Sequence, residues 1–176
     1  MRTKKRMIPV VVVIAGSLGV LGITSPVNAS ATTATSTQQS TARTPSECDN
    51  YSWDVFGRVG WGVSFSAYGR DVELRNGHAF NHSFAAITAA TYKTGDQVWA
   101  DRSLNAMPSS VPTHFYDDNI VRNYGGWKQC GPFTTATSNQ VMNWNTDTQH
   151  HFAVRACMRP NDGRPSVCGE WYVDRT

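Results

Sequence analysis

The stretch at residues 150–174, HHFAVRACMRPNDGRPSVCGEWYVD, constrains this chain more than any other. Asp162-Gly163 is a strong two-residue hairpin signal between two runs of alternating apolar residues. With that turn, positions whose numbers sum to 325 face each other, so Cys157 falls opposite Cys168, Arg155 opposite Glu170 and His151 opposite Asp174. On the alternate positions Phe152 meets Val173, Val154 meets Trp171 and Met158 meets Val167. One register therefore sends the large apolar side chains to one face and the charge pairs to the other, as a half-buried antiparallel ribbon requires. Pro160 and Pro165 agree with it, because they face each other where no ladder N–H is needed. This register predicts a Cys157–Cys168 staple at a hydrogen-bonded pair, with Cα atoms about 5.5 Å apart and within disulfide range. It also predicts an exposed His151–Asp174 surface pair, with His150 turned inward.

The amino-terminal residues imply where such a staple forms. Arg2, Lys4, Lys5 and Arg6 precede an apolar run at residues 8–20, and small residues up to Ala29 supply a cleavage site. That pattern predicts a secretory signal peptide at 1–29, short of the ~20 apolar residues of a membrane span. The chain is expected to be secreted and extracellular, without a membrane anchor. Residues 30–44 hold nine Ser or Thr in fifteen positions, so 30–46 is expected to be a disordered linker. Residues 47–176 then form one domain. All four cysteines lie beyond the leader, and by elimination Cys48 pairs with Cys130. Removing four leader cations from 16 leaves 12 against 13 acidic residues, a net charge of −1, which withdraws the electrostatic warrant for a nucleic-acid partner.

Elsewhere short strands alternate with turns. Val59, Trp61, Val63, Phe65 and Ala67 alternate with small residues and read as one strand. Tyr68-Gly69 is a turn before a strand through Val72 and Leu74, and Asn76-Gly77 is a second hairpin signal. Residues 78–92 read as strand, Lys93 to Asp96 as a reversal, and residues 98–102 as strand again. Ile120 to Tyr124 is expected to be a strand after an Asp117-Asp118-Asn119 turn, Cys130-Gly131-Pro132 to begin another, and residues 138–149 to form a polar loop. Such spacing predicts an all-β fold, a single antiparallel β-sandwich of immunoglobulin-like or jelly-roll-like kind stapled by two disulfides. The aromatic-x-Val-x-Ala rhythm of residues 150–171 resembles the last hairpin of fibronectin type III and other immunoglobulin-like modules, while departing from them in its cross-hairpin disulfide. The resemblance implies a binding or spacer module and transfers no functional residue.

Site candidates divide along the same line. His78 and His82 lie about 13 Å apart on a strand, too far for one metal ion, so no metal or cofactor is expected. Gly62-Val63-Ser64-Phe65-Ser66 lacks the last glycine of a nucleophile elbow. Trp61 and Trp171 are core candidates. Trp144 between Asn143 and Asn145, and Tyr124 with Trp127 around Gly125-Gly126, place aromatic rings among amides in loops, which suits stacking on a sugar. The expectation is a non-catalytic extracellular binding module for a carbohydrate, another cell-surface polymer or a protein. The alternatives are a small secreted hydrolase using His82, His114 and Asp117, or a protease inhibitor presenting the braced 157–168 loop.

Overall fold

A computed structural model of the protein describes residues 42–43, 55–60, 62–77, 79 and 81–175, all within the unit spanning Thr37–Thr176. The leader, Cys48 with its expected bond to Cys130, Trp61 and His78 lie outside the described residues. In chain order the strands are β1 (Ala42–Arg43), β2 (Phe56–Arg58), β3 (Phe65–Ala67), β4 (Arg70–Gly77), β5 (His82–Ile87), β6 (Gln97–Ala106) and β7 (His114–Phe115). After helix α1 (Asp118–Asn123) come β8 (Trp127–Phe133), β9 (Val141–Met142), β10 (Trp144–Asn145), β11 (His150–Arg159), β12 (Val167–Cys168) and β13 (Trp171–Val173). The larger sheet runs β1-β8-β6-β11-β13-β7, with β10 and β12 also on β11, and the smaller runs β2-β4-β5-β9, with β3 on β4. Pairing is antiparallel except between β1 and β8, so Ala42 and Arg43, inside the stretch read as a linker, join the sheet in parallel.

The all-β expectation holds, and period-two alternation builds the shared core. Val72 and Leu74, Ala85 and Ile87, and Val141 from the smaller sheet meet Val98 and Ala100, Cys130, and Val154, Ala156 and Met158 from the larger. The turn at Tyr68-Gly69 closes the β3–β4 hairpin with both residues at positive φ (56° and 72°), as a primed two-residue turn demands.

Several local readings are corrected. Val59, Gly60, Gly62 and Val63 are not strand: Gly62, at φ +67°, gives its carbonyl to the Glu170 N–H, and residues 65–67 pair as strand. Asn76-Gly77 is not a turn but the end of β4, still paired with β2 and β5. Gly131-Pro132 sits inside β8, where the pairing with β6 shifts and a proline N is tolerated. Ile120 to Tyr124 is not strand, because the Asp117 carboxylate accepts the Asn119 N–H at 2.9 Å and caps α1 instead of making an isolated turn. The helix buries Val121 on the outer face of the larger sheet with Met107, Val111, Phe115, Ala153, Trp171 and Val173.

That second core exists because the closing hairpin changes register. Cys157 opposes Cys168 and Met158 opposes Val167, as the Asp-Gly reading predicts, but Ala153 opposes Val173 and Val154 opposes Tyr172. The predicted partners Arg155–Glu170, His151–Asp174, Phe152–Val173 and Val154–Trp171 are therefore displaced by one residue. The Gly169 N–H reaches Ala156 O at 3.0 Å, whereas the Glu170 N–H leaves for Gly62 O at 3.1 Å, so one extra residue bulges between β12 and β13. The staple forms with Cα atoms 4.0 Å apart, nearer the close non-hydrogen-bonded spacing than the hydrogen-bonded one expected. Trp171 and Val173 consequently point outward beneath α1, and Tyr172 and Asp174 point between the sheets. Both faces of the ribbon are therefore covered along β13.

Arg155 lies on the outer face and ties it together. Its Nε donates to Asp101 at 2.9 Å and its Nη1 to Asp118 at 2.7 Å, while its guanidinium carbon lies 4.3 Å from the Trp171 ring centre. Asp118 Oδ1 also accepts from Trp171 Nε1 at 2.8 Å, which anchors the first turn of α1. Burial pushes the Asp101 carboxyl up to about 6 against the opposing pull of the Arg155 guanidinium, which Asp118 shares.

Two outcomes are expected. Gly169→Ala places a Cβ 2.6 Å from Val63 O, so urea denaturation should show a loss of about 1–3 kcal/mol. The folded state holds the Asp101 proton more tightly than the unfolded chain, so this residue's contribution is present below pH 3.8 and lost as pH rises through about 6. Stability measured between pH 4 and 7 should fall more steeply in the parent than in Asp101→Asn, by a few kcal/mol.

Candidate functional site

The hairpin from β10 to β11 organises the most suggestive surface. Trp144 opposes His151 and Asn145 opposes His150, so alternation sends one pair to each face of a two-stranded ribbon. Trp144 and His151 line a depression of about 220 Å³ with Ser109, Gln149, His150, Asp174 and Arg175. Asn145 and His150 line another of about 370 Å³ with Asn105, Ala106, Pro108, Tyr124 and Thr148. His150 is common to both.

Buried polar groups hold this hairpin in place. Asn143, 1% exposed, donates from Nδ2 to Asn76 Oδ1 and to Ser83 Oγ, and Asn76 Nδ2 donates to Asp174 Oδ2 at 2.6 Å. The Asn143 N–H donates to Asn81 O and its carbonyl accepts the Phe152 N–H, each at 2.7 Å, so its backbone is held from both sides. Asn145 Oδ1 accepts the Asp147 and Thr148 N–H groups and shapes the turn. Opposite, the Met107 N–H donates to His151 O at 2.8 Å, and Arg175 Nη2 donates to the carbonyls of Pro108 and Val111. Both walls are thus fixed through the backbone.

The two histidines exchange the places expected of them. His150 is exposed and His151 is 6% exposed, its ring 4.6 Å from the Trp144 ring in an edge-on contact. Burial lowers the His151 pKa against the opposing pull of Asp174, and among the described residues its Nδ1 has no hydrogen-bond partner. Asp174 is likewise buried, because the shifted register aims it at Asn76 instead of at solvent. Tyr172 beside it is pushed up to about 12 by burial and by that carboxylate.

Of the five residues singled out for binding, Trp144 and Asn145 line the depressions directly, and Tyr124 joins the second. Asn143 supports them from behind. Trp127 stands apart in the outer core, 5.6 Å from the Trp171 ring centre with Arg122 and Arg155 against it. His150, Gln149 and Arg175 were missed; the turn-flanking position of the first two was visible in sequence, but the return of Arg175 to this surface was not.

The proposed hydrolase residues have other partners. His82 is buried in β5 opposite Met142, and Asp117 caps α1. His114 Nδ1 lies 3.0 Å from Glu170 Oε2, a carboxylate that also accepts from the exposed Tyr116 and raises the Tyr116 pKa. Gly62 packs against the same two residues, where a Cβ would lie 2.5 Å from Glu170 Oε1. No sequence pattern linked residues 62, 114, 116 and 170. The 157–168 loop is tethered at its base and exposed at its apex: Pro160 is buried, Asn161 donates to Asp96 and to Thr94 O, and residues 161–166 are exposed.

Comparison with family models, curated proteins and solved structures finds no match.

The His151 environment has a measurable consequence. Below pH 6.5 the unfolded chain protonates this residue more readily than the folded one, so its contribution to stability is full above that pH and lost on acidification. Thermal unfolding at pH 7.5 and pH 5 should show a smaller acid-induced drop in His151→Phe than in the parent. Equal drops would contradict a lowered His151 pKa in the folded state.

Proposed function

We propose that this chain is a secreted, non-catalytic module of immunoglobulin-like or jelly-roll-like sandwich type that binds a carbohydrate or related polar polymer at the β10–β11 end. The reading rests on one observation above others: a half-exposed indole, Trp144, backed by a buried ring and flanked by amides and imidazole in a pair of adjoining depressions. Trp144 offers an apolar face for a pyranose ring, while Gln149, Asn145, Asn105 and His150 offer donors and acceptors for hydroxyls. The rigid backbone on both sides limits the ordering cost of binding. The depressions are at or below the small end of ligand sites, which suits sugar units held along a surface better than an enclosed molecule. The engaged state of His114 and Asp117 gives the hydrolase reading no support from its own residues.

The test is retention on insoluble polysaccharides such as cellulose, chitin and cell-wall glycan. His150→Ala, at an exposed position, should keep the parent melting temperature, and Trp144→Ala should lose roughly 1 kcal/mol of stability with its ring contact. Each should weaken retention roughly tenfold or more. Parent-like retention by both variants would remove this site from the function.

A further inference from the structure

β11 has His150 at one end and Arg159 at the other, about 30 Å apart at ~3.3 Å per residue. The far end carries a separate depression of about 360 Å³, lined by Gly95, Gln97, Arg159, Pro160, Asn161, Gly163 and Arg164. We infer that this depression is a second binding site, built to take an oxyanionic group, a carboxylate or sulfate, of an acidic polysaccharide.

Among the described residues the arginines at this end differ in how their charge is matched. Beneath the depression Arg70 donates from Nε and Nη2 to Asp96, at 2.9 and 2.8 Å, and both side chains are buried. On the rim Arg164 is paired with Asp162 and stacks over the Tyr68 ring at 4.3 Å. Arg159, by contrast, has no carboxylate partner among the described residues. Its Nε donates to Gln97 Oε1 at 2.9 Å and its Nη2 to the same oxygen, a neutral acceptor. A guanidinium has five N–H groups in a planar fork, so three remain for a ligand, with the Arg164 fork lining the same depression.

The loop that carries these groups is held unusually firmly for an exposed apex. The buried Asp96 accepts the Asn161 N–H and the Lys93 N–H, each at 3.0 Å, in addition to the two bonds from Arg70. Asn161 also donates to Thr94 O, and Gly95 leaves room for it, since a Cβ there would lie 3.1 Å from Asn161 Cβ. A buried ion pair is weak support for stability, because desolvation offsets its attraction. Its effect here is positional: it fixes the loop that carries Arg164 beside the strand end that carries Arg159, which lowers the ordering cost of closing on an anion. The net charge of −1 read for the mature chain makes any attraction to an anionic polymer local to this depression.

The experiment compares retention of the purified protein on carboxymethyl-dextran, dextran sulfate and unmodified dextran, with free sulfate as competitor. Binding to either charged dextran but not to the neutral one is expected, weakening between 50 and 200 mM salt. Arg159→Gln should weaken it roughly tenfold, and Arg159→Lys should keep the charge while losing part of the affinity with the fork. Arg122→Gln, an equal change in net charge on α1, should leave the preference for charged over neutral dextran unchanged, and Arg159→Gln should leave retention on neutral insoluble polysaccharides unchanged, so this site and the β10–β11 site fail separately. Equal binding to neutral dextran, or losses as large in Arg122→Gln as in Arg159→Gln, would overturn the inference.

Discussion

Between Cys168 and Trp171 the chain inserts one residue that the facing strand does not match, and the rest of the molecule follows from that bulge. Because side chains alternate with a period of two, a single extra residue exchanges the two faces of everything after it. Trp171 and Val173 leave the space between the sheets and become the floor on which α1 rests, with Arg155 and Asp118 bridging the contact. Tyr172 and Asp174 turn the other way, into the space between the sheets. The glycine at 169 permits this, since any side chain would strike the Val63 carbonyl.

Asp174 is the consequence with the widest reach. A carboxylate buried near the end of the shared core needs donors, and Asn76 of the smaller sheet supplies one. Asn76 is in turn bonded to Ser83 and Asn143, so the network runs from the carboxyl-terminal strand across both sheets to the residue before Trp144. Placement of the Trp144 indole, the central element of the proposed binding surface, is thereby coupled to the register of a hairpin distant in sequence. The second buried pair, Arg70 with Asp96, acts similarly at the opposite end of β11. Each end is a polar surface whose shape is set by groups with little access to water.

Local chemistry made part of this legible. The strands through Val72 and Leu74 and at 98–102, the turns at 68–69 and 93–96, and the staple were readable because each depends on neighbours within a few residues. The misreadings share one cause. Asp117-Asp118-Asn119 has the composition of a turn and of a helix cap alike, and the choice was made by the outer apolar floor that Val121 reaches. His151 and Asp174 read as a surface pair because the hairpin was treated as having one free face. Trp144 and Asn145 were found as candidates from their odd company in a polar stretch, whereas Arg175, Ser109 and the Gly62–Glu170–His114–Tyr116 cluster join across separations that leave no periodic trace.

The sequence by itself determined an all-β chain of short strands, the pairing of Cys157 with Cys168, and an aromatic residue set among amides near residue 144, since alternation, turn propensity and composition are properties of adjacent residues. Tertiary structure decided which face each late side chain occupies, that a helix forms at 118–123, and that the His151 and Asp174 side chains are buried. Those outcomes rest on hydrogen bonds such as Glu170 N–H to Gly62 O and Asn76 to Asp174, which join residues about a hundred positions apart. Their donors and acceptors are identical in kind to hundreds of others along the chain, and only the packed sheets select them.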